Sequence, residues 1–244
     1  MVSYLLSISY DGSKYWGWAR QNNKITVEGS LMAVITSAFN CEFKIQVASR
    51  TDKKVHSYDQ KVKLSFNIVL EPKQLQWILN NKLPNDIYIT NCCIVANDFH
   101  VRKKCVLKTY HYQINCGSYN VFQQRYIYQY NKPLRKRNLQ KIAKIFVGTY
   151  DFSNFSLLKD KETINRVRNI KSIKIKKHQD LVIIIIKATS FIRHQVRMIV
   201  GSILACYEGK ISLTQLQEKL LNPLALKTKY QVSGEGLYLM NIKY

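Results

Sequence analysis

Residues 43–68 read FKIQVASRTDKKVHSYDQKVKLSFNI, two runs of alternating apolar and polar side chains on either side of a polar segment. Such alternation predicts a strand over 43–48, a second strand over 61–68 and a loop between them. Asp52 lies in that loop, and it is the one carboxylate that we single out as a candidate catalyst. A turn or an N-cap is the commoner role of a lone loop aspartate, so a catalytic role needs support from the rest of the chain.

Helices and strands mix on both sides of this loop. Alternation predicts strands over 4–10, 87–95, 106–115, 167–177 and 181–188, and helical periodicity predicts helices over 30–39, 72–80, 134–146 and 191–207. Such a mixture, with strands that pair largely antiparallel, predicts an α+β fold. A boundary near residue 104 divides the chain into two α+β domains, 1–104 and 105–244.

The composition is that of a globular protein. Of the 244 residues, 46% are hydrophobic, which is enough for a packed core. Residues 1–10 lack the basic region and long apolar stretch of a signal peptide. The longest apolar run, 181–186, is too short to span a bilayer. We therefore predict a soluble, cytoplasmic protein with no membrane partner.

The cysteines and glycines give no sign of a metal or a nucleotide cofactor. The six cysteines show no CxxC spacing and no paired histidines, so the sequence predicts neither a zinc site nor a disulfide framework. None of the nine glycines belongs to a Walker A or GxGxxG loop. The prediction is a protein without metal or cofactor.

The charge of the chain points to a polyanionic partner. Lys and Arg number 38 against 15 Asp and Glu, a formal charge of +23, and no acidic residue occurs over 99–150. Lysine-rich composition explains so long a stretch less well than binding to nucleic acid does. Tyrosines interleaved with the cations suit RNA, whose bases stack on aromatic rings, although alternating tyrosines also fit a half-buried strand.

Two arginines lie four residues apart on the predicted helix 191–207. Arg193 and Arg197 therefore share a helix face beside the apolar Ile192 and Val196. A partly buried guanidinium needs a carboxylate partner, and Asp52 is the candidate. The alternative, which periodicity alone favours, is an exposed basic face that binds phosphate.

The motifs of the chain resemble those of the TruA-type tRNA pseudouridine synthases. The Asp52 loop, with Arg50, Thr51, Val55 and His56, is similar to the family signature GRTDAGVHA. Further matches follow in the family order nearly from end to end. They are YDGS with GW and Gln21 over 10–21, TVE over 26–28, NNKLPNDI over 80–87, FHVR over 99–102, YHY over 110–112, GTYDF over 148–152, FIRHQVRMIVG over 191–201 and GLYL over 236–239.

The resemblance implies an isomerase that acts on RNA. Family members convert uridine to pseudouridine at positions 38 to 40, in the anticodon stem-loop of tRNA, without metal or cofactor. The C–N glycosidic bond breaks and the base rejoins the sugar through carbon. The implied fold has two domains whose antiparallel sheets join into one extended sheet, with helices on one face and an active-site cleft between the domains. Homodimer assembly is also implied.

Three residues match the catalytic positions of the family. Asp52 corresponds to the nucleophile, which attacks either the sugar or the pyrimidine ring. Tyr110 corresponds to the tyrosine that stacks on the target base and assists proton removal. Arg197 corresponds to the arginine that pairs with the aspartate. Burial disfavours an ionised carboxylate, and a close cation favours it, so the arginine keeps the nucleophile charged.

Five further residues are predicted to contact RNA. Arg50 corresponds to the family residue that helps to expose the target uridine, and His56 closes the same signature. Arg102, Lys108 and Arg193 are expected to bind phosphate.

The Asp52 loop departs from the family pattern at three positions. Ser49 replaces a glycine, and Lys53 and Lys54 replace the Ala-Gly pair that follows the aspartate. If position 54 requires a positive φ, a lysine there carries a backbone cost. These changes leave two alternatives open. One is a non-catalytic RNA-binding protein on the same scaffold, and the other is a related synthase that acts on other tRNA or small-RNA uridines.

Overall fold

The computed structural model describes residues 1–157, 165–223 and 227–244. They form two compact units, Met1–Val106 with Tyr238–Tyr244, and Leu107–Leu237. The first boundary is close to the predicted one, but the C-terminal strand lies in the first unit and not in the predicted domain 105–244. The reason is backbone pairing, because Tyr238 and Leu239 lie in register with His56 and Ser57.

Strands and helices are mixed along the chain. In order they are β1 (Val2–Tyr10), α1 (Val27–Phe39), β2 (Phe43–Val47), β3 (His56–Phe66), α2 (Pro72–Asn80), β4 (Ile87–Val95), β5 (Leu107–Asn115), β6 (Tyr128–Gln129), α3 (Lys136–Ala143), β7 (Gly148–Asp151), β8 (Val167–His178), β9 (Leu181–Ala188), α4 (Gln195–Tyr207), α5 (Leu213–Leu221) and β10 (Leu237–Lys243). The fold class is α+β, which confirms the prediction.

The sheet of the first unit is built around β3. Its strands follow the order β4, β1, β3 and β10, and β2 also pairs with β3. Residues 62–66 of β3 pair with β2, and residues 56 and 57 pair with β10. The pairings are antiparallel except for β10 on β3. Because β2 and β3 are neighbours in one antiparallel pair, the loop that joins them returns the chain within the same sheet.

The core of the first unit lies between one sheet face and two helices. In β1, Ser3 and Ser7 are buried on one face of the strand, and the large side chains Tyr4, Leu6, Ile8 and Tyr10 are buried on the other. These large side chains pack with the inward side chains of α1 and α2 in one hydrophobic cluster, which includes Tyr4, Leu6, Ile8, Leu31, Ile35, Leu75 and Leu79.

The longer strands of the second unit pair antiparallel. Its strands follow the order β5, β9, β8 and β7, and the short β6 runs parallel to β5. Helix α3 packs on β8 and on α4, and α5 packs on β7 and α4. The buried β9, with Val182, Ile184 and Ile186 fully covered, lies between β5 and β8.

Helix α4 begins later than the sequence predicts. Its N-cap is His194, with φ 63° in the left-handed region. Before it the chain makes a turn, in which Gln195 N–H donates to the Ile192 carbonyl at 3.2 Å and Ile192 N–H donates to Gln195 Oε1 at 2.9 Å. Arg193 therefore precedes the helix. The prediction that Arg193 and Arg197 share one helix face is wrong, because the turn at His194 interrupts the periodicity.

Among the described residues, no helix is both long and apolar enough to cross a membrane.

Candidate active site

Backbone hydrogen bonds hold the Asp52 loop, residues 48–55, in the first unit. Trp18 N–H donates to the Thr51 carbonyl at 3.0 Å, and Lys54 N–H donates to the Tyr15 carbonyl at 3.2 Å. Within the loop, Val55 N–H donates to the Asp52 carbonyl at 3.2 Å and closes a tight turn. Asp52 thus stands at the start of a turn that is attached on both sides to the segment 15–18, and its side chain is partly exposed.

Two glycines allow the segment after β1 to lie against this loop. Gly17 has φ 99°, and a Cβ at this position would be 2.6 Å from the Thr51 oxygen and 3.0 Å from the Asp52 carbonyl carbon. A Cβ at Gly12 would be 2.1 Å from the Val55 oxygen. Both distances are shorter than real Cβ contacts, so the YDGS…GW stretch needs glycine where it touches the Asp52 loop.

Buried side chains hold the loop from the other side. The amide of Gln60, which is fully buried, donates to the Ser49 carbonyl at 2.6 Å and accepts from Ser49 N–H at 3.2 Å. The Tyr10 hydroxyl and Thr51 Oγ1 are 2.8 Å apart. Burial raises the pKa of Tyr10 to about 12, so this phenol stays neutral and keeps the hydrogen bond across the ordinary pH range. The loop around Asp52 is therefore preorganised.

The two lysines after Asp52 behave differently from each other. Lys54 has φ 64°, which is the positive φ under which we predicted a backbone cost for a lysine at this position. Lys53 places its Nζ 3.3 Å from the ring centroid of Trp16, which is 40% exposed. Such a cation–π contact is worth about 0.5–1 kcal/mol at an exposed site. The sequence analysis did not single out Trp16, because only the fold brings this residue beside the Asp52 loop.

Arg50 and Arg102 line the same cavity of the first unit, together with Arg20. Arg102 Nε donates to the Val47 carbonyl at 2.8 Å, at the end of β2. The structure therefore brings together two of the arginines for which we predicted RNA contacts. Arg20 was missed, although it lies between Trp18 and Gln21, which both belong to the motifs that carry the resemblance.

His56 lies in the interior of the first unit. Its side chain is 3% exposed, and its ring stacks on Tyr238 with centroids 4.6 Å apart. Nδ1 lies 3.1 Å from the backbone nitrogen of Gly12 and 3.2 Å from Asp11 Oδ1. This burial favours a structural role, in which His56 joins the Asp52 loop to β10, over the RNA contact that the sequence predicted.

Tyr110 and Lys108 lie on β5 of the second unit. Tyr110 is in register with Ile186 of β9 and is 5% exposed. Its ring meets Phe191 edge to face, with centroids 5.2 Å apart. Lys108 is in register with Ala188 and is 6% exposed.

Arg197 stands in the first turn of α4 and is oriented by hydrogen bonds. Its Nε donates to the Val232 carbonyl at 2.8 Å, and its Nη1 lies 3.3 Å from Nδ1 of His194. Val232 N–H in turn donates to the Arg197 carbonyl at 3.2 Å. The left-handed turn at His194 therefore serves to orient the arginine as well as to start the helix, whereas Arg193 is exposed.

The predicted site residues thus divide between the two units. Asp52, Arg50, His56 and Arg102 belong to the first unit, and Tyr110, Lys108, Arg193 and Arg197 to the second. The roles predicted for them stay predictions. The sequence analysis did not single out His194. Its position within the FIRHQVR stretch was the signal that could have pointed to it.

The chain is similar to a set of known RNA-modifying proteins. A family model described as tRNA pseudouridine synthase matches residues 6–102 and 142–244. "tRNA pseudouridine synthase A" of Malacoplasma penetrans (strain HF-2) is 40% identical over 245 residues, which cover 100% of both chains. The protein of the same name from Spiroplasma kunkelii is 40% identical over 251 residues, covering 100% of this chain and 95% of its own.

Among solved structures, a chain of "Crystal Structure of a Cbf5-Nop10-Gar1 Complex" covers 97% of this chain and 47% of its own, with a TM-score of 0.37 and 12% identity. A likeness at that level adds nothing to the assignment.

Proposed function

Because the chain belongs to the tRNA pseudouridine synthase family and is therefore an RNA isomerase, we propose that it modifies uridines in the anticodon stem-loop of tRNA. The observation that carries the proposal is the preorganised Asp52 loop, which lies within the matched residues and is held by Trp18, Tyr15 and Gln60. The formal charge of +23 agrees with a polyanionic substrate.

Asp52 acts as the nucleophile in this proposal. The reaction exchanges the C–N glycosidic bond for a C–C bond between the same base and sugar, so the product is an isomer and the step needs no external oxidant or reductant. The carboxylate forms a transient bond with the sugar or the pyrimidine ring and is regenerated when the new bond forms. A loop held from both sides keeps the carboxylate in place for attack. Such positioning of a reacting group increases the rate of the reaction.

Tyr110 and Arg197 complete the proposed catalytic group. Tyr110 stacks on the target base, a contact usually worth about 1–3 kcal/mol. Stacking needs only the π face, so Tyr110→Phe should bind tRNA as the unchanged protein does in a filter-binding titration. A large loss of turnover in that variant would assign proton transfer to the hydroxyl. Arg197 is the proposed partner of the Asp52 carboxylate.

The deciding experiment is a modification assay. Purified protein is incubated with unmodified tRNA, and pseudouridine is mapped chemically, with Asp52→Asn as the control. Product in the anticodon arm with the unchanged protein, and none with the variant, is the expected result. Product elsewhere in the RNA would favour the related synthase with other targets. Binding without product would favour the non-catalytic RNA-binding protein.

We further expect a homodimer and a cytoplasmic location, as members of the family are expected to have. Light scattering of the purified protein tests the first expectation, and cell fractionation tests the second.

A further inference from the structure

A segment of the second unit, residues 230–233, packs closely against α4. A Cβ at Gly201 would be 2.7 Å from the backbone nitrogen of Gln231, so the segment approaches the helix where only a glycine leaves room. Val232 N–H donates to the Arg197 carbonyl at 3.2 Å, and Arg197 Nε donates to the Val232 carbonyl at 2.8 Å. These contacts fix the backbone from which the side chain of Gln231 projects.

The same segment is also attached to β5. The hydroxyl of Tyr112, a fully buried residue, donates to the Ser233 carbonyl at 3.0 Å. A little further along, Gln113 N–H donates to the Gly236 carbonyl at 2.8 Å. Because two elements of the second unit hold the segment, the position of residue 231 is set by the fold.

The side chain of Gln231 reaches His194, the residue that begins α4. Gln231 Nε2 lies 3.0 Å from His194 Nδ1, and Arg197 Nη1 lies 3.3 Å from the same nitrogen. A guanidinium has donors and no acceptor, so a hydrogen bond from Nη1 to Nδ1 requires that Nδ1 carry no proton. The amide nitrogen of Gln231 is then a second donor to that acceptor. We call Gln231, His194 and Arg197 the α4 clamp.

The α4 clamp holds the guanidinium of Arg197 at two atoms. Nε bonds to the Val232 carbonyl and Nη1 to His194 Nδ1, so the planar group cannot turn without losing one of these bonds. The backbone of His194 is restrained, because its carbonyl accepts Met198 N–H at 3.0 Å. Its ring can still rotate about the side-chain bonds, and the hydrogen bond from Gln231 opposes that rotation.

We propose that Gln231 is a positioning residue for the reaction: its amide holds the His194 ring so that Nδ1 accepts from Arg197, and the guanidinium is thereby kept in the orientation in which it acts on Asp52. The inference rests on the proposed function, which makes Arg197 the partner of Asp52. Gln231 lies outside the motifs at 191–201 and 236–239, and only the fold brings it beside His194.

The rate and the affinity of Gln231→Met test this role separately. Methionine has a similar length and no hydrogen-bond donor. Loss of one neutral hydrogen bond should lower the single-turnover rate at saturating protein about three- to tenfold, and the affinity for unmodified tRNA should stay within about twofold. Gln217→Met, at an exposed position of α5, is the matched control and should change neither quantity.

A double-mutant cycle shows whether Gln231 acts through the imidazole. His194→Asn removes the ring, and asparagine tolerates the positive φ of this position. If Gln231 acts through His194, adding Gln231→Met to His194→Asn should lower the rate no further. A further loss as large as that of Gln231→Met alone would mean that Gln231 acts independently of His194, and the proposal would be wrong.

The pH dependence of turnover gives a readout that a merely structural role would not change. In Gln231→Glu a carboxylate stands beside His194 Nδ1 and favours the protonated ring. The protonated ring cannot accept from Arg197, so the acid limb of the pH–rate profile should move to higher pH by about one unit. Gln217→Glu adds the same charge on α5 and should leave the acid limb in place.

Three further results would overturn the proposal. The first is a single-turnover rate in Gln231→Met equal to that of the unchanged protein. The second is weaker tRNA binding with an unchanged rate at saturating protein, which would make Gln231 an RNA contact. The third is an acid limb at the same pH in Gln231→Glu and in Gln217→Glu.

Failure of the proposed function has a different signature, because no pseudouridine would then form with the unchanged protein. The titration of the His194 ring, followed by NMR, would still test the α4 clamp. Gln231→Glu should move that titration to higher pH and Gln217→Glu should not, and equal titrations in the two variants would overturn the clamp itself.

Discussion

At the scale of single residues, the Asp52 loop combines tight attachment with local strain. Gln60 and the backbone of Trp18 hold the loop, while Lys54 adopts a backbone conformation that costs an L-residue about 1–2 kcal/mol. The strain lies two residues from the proposed nucleophile. Strained positions persist where the surrounding contacts over-determine the backbone, and they often occur at functional sites.

Replacing Lys54 by glycine should therefore stabilise the protein. Glycine removes the left-handed strain but costs about 0.5–1 kcal/mol of chain entropy, so the net gain is about 1 kcal/mol or slightly less. Urea unfolding measures this gain in the free energy of unfolding. Lys53→Gly is the matched control, because Lys53 is not among the residues with positive φ and glycine there should bring no gain. Equal changes in the two variants would contradict the strain at Lys54.

Removing Arg197 should abolish turnover and leave tRNA binding largely intact. The variant Arg197→Ala loses the proposed partner of Asp52. Among the contacts that the structure shows, it loses the hydrogen bond from Nε to the Val232 carbonyl. Arg197→Lys separates the two effects, because it keeps the charge and lacks the Nε donor. Single-turnover rates of the two variants show whether the charge or the Nε hydrogen bond is needed for turnover. Near-normal turnover in Arg197→Ala would exclude the pairing.

At the scale of elements, the short segment between β1 and α1 supports the loop between β2 and β3. Residues far apart in sequence meet there without side chains between them, at Gly12 and Gly17. This close approach explains why a segment without regular secondary structure carries two glycines of the nine in the chain. The Asp52 loop therefore depends on β1 and on its connection to α1 as much as on its own strands.

Alanine at position 17 should disturb the loop more than alanine at another positive-φ glycine. Gly209 has φ 73° and open space around it, so Gly209→Ala should cost about 1 kcal/mol, the backbone term alone. Gly17→Ala adds a Cβ 2.6 Å from the Thr51 oxygen, so the cost should exceed that of Gly209→Ala by about 1–3 kcal/mol, as overpacking does. Unfolding free energies and turnover are measured together. Similar behaviour of the two variants would contradict the tight contact.

Element boundaries were predicted well where the pattern was local. The ranges 72–80, 87–95 and 181–188 agree with α2, β4 and β9. Helix α5 was missed, although Ser212 and Gln215 form a capping box before Leu216 and Leu220, a signal that is visible in the sequence. The start of α4 was not predictable from periodicity, because His194 interrupts an otherwise helical pattern by adopting positive φ.

At the scale of the whole molecule, the charge governs the interaction with substrate. The excess of Lys and Arg gives a formal charge of +23, spread over both units, which attracts an RNA backbone regardless of its sequence. Charge of this kind sets affinity and association rate, whereas the choice of uridine depends on the shape of the site and on the RNA geometry.

Binding of tRNA should accordingly be strongly salt-dependent. A protein that contacts 6–10 phosphates loses about 10³–10⁵ in affinity between 50 and 200 mM salt, and we expect a loss of that order. Titration of labelled tRNA at increasing salt concentration measures the slope. A neutral competitor serves as the control for loss of protein activity at high salt. Weak dependence would mean that few of the cations contact RNA.

The sequence by itself determined the α+β class, the strands around the Asp52 loop and the family, because alternation, turn residues and short motifs are local properties of the chain. Only the tertiary structure decided that β10 joins the first unit, that His56 and Lys108 are buried and that Arg20, Arg50 and Arg102 surround one cavity. Each of these depends on contacts between residues far apart in the sequence, which no local pattern encodes.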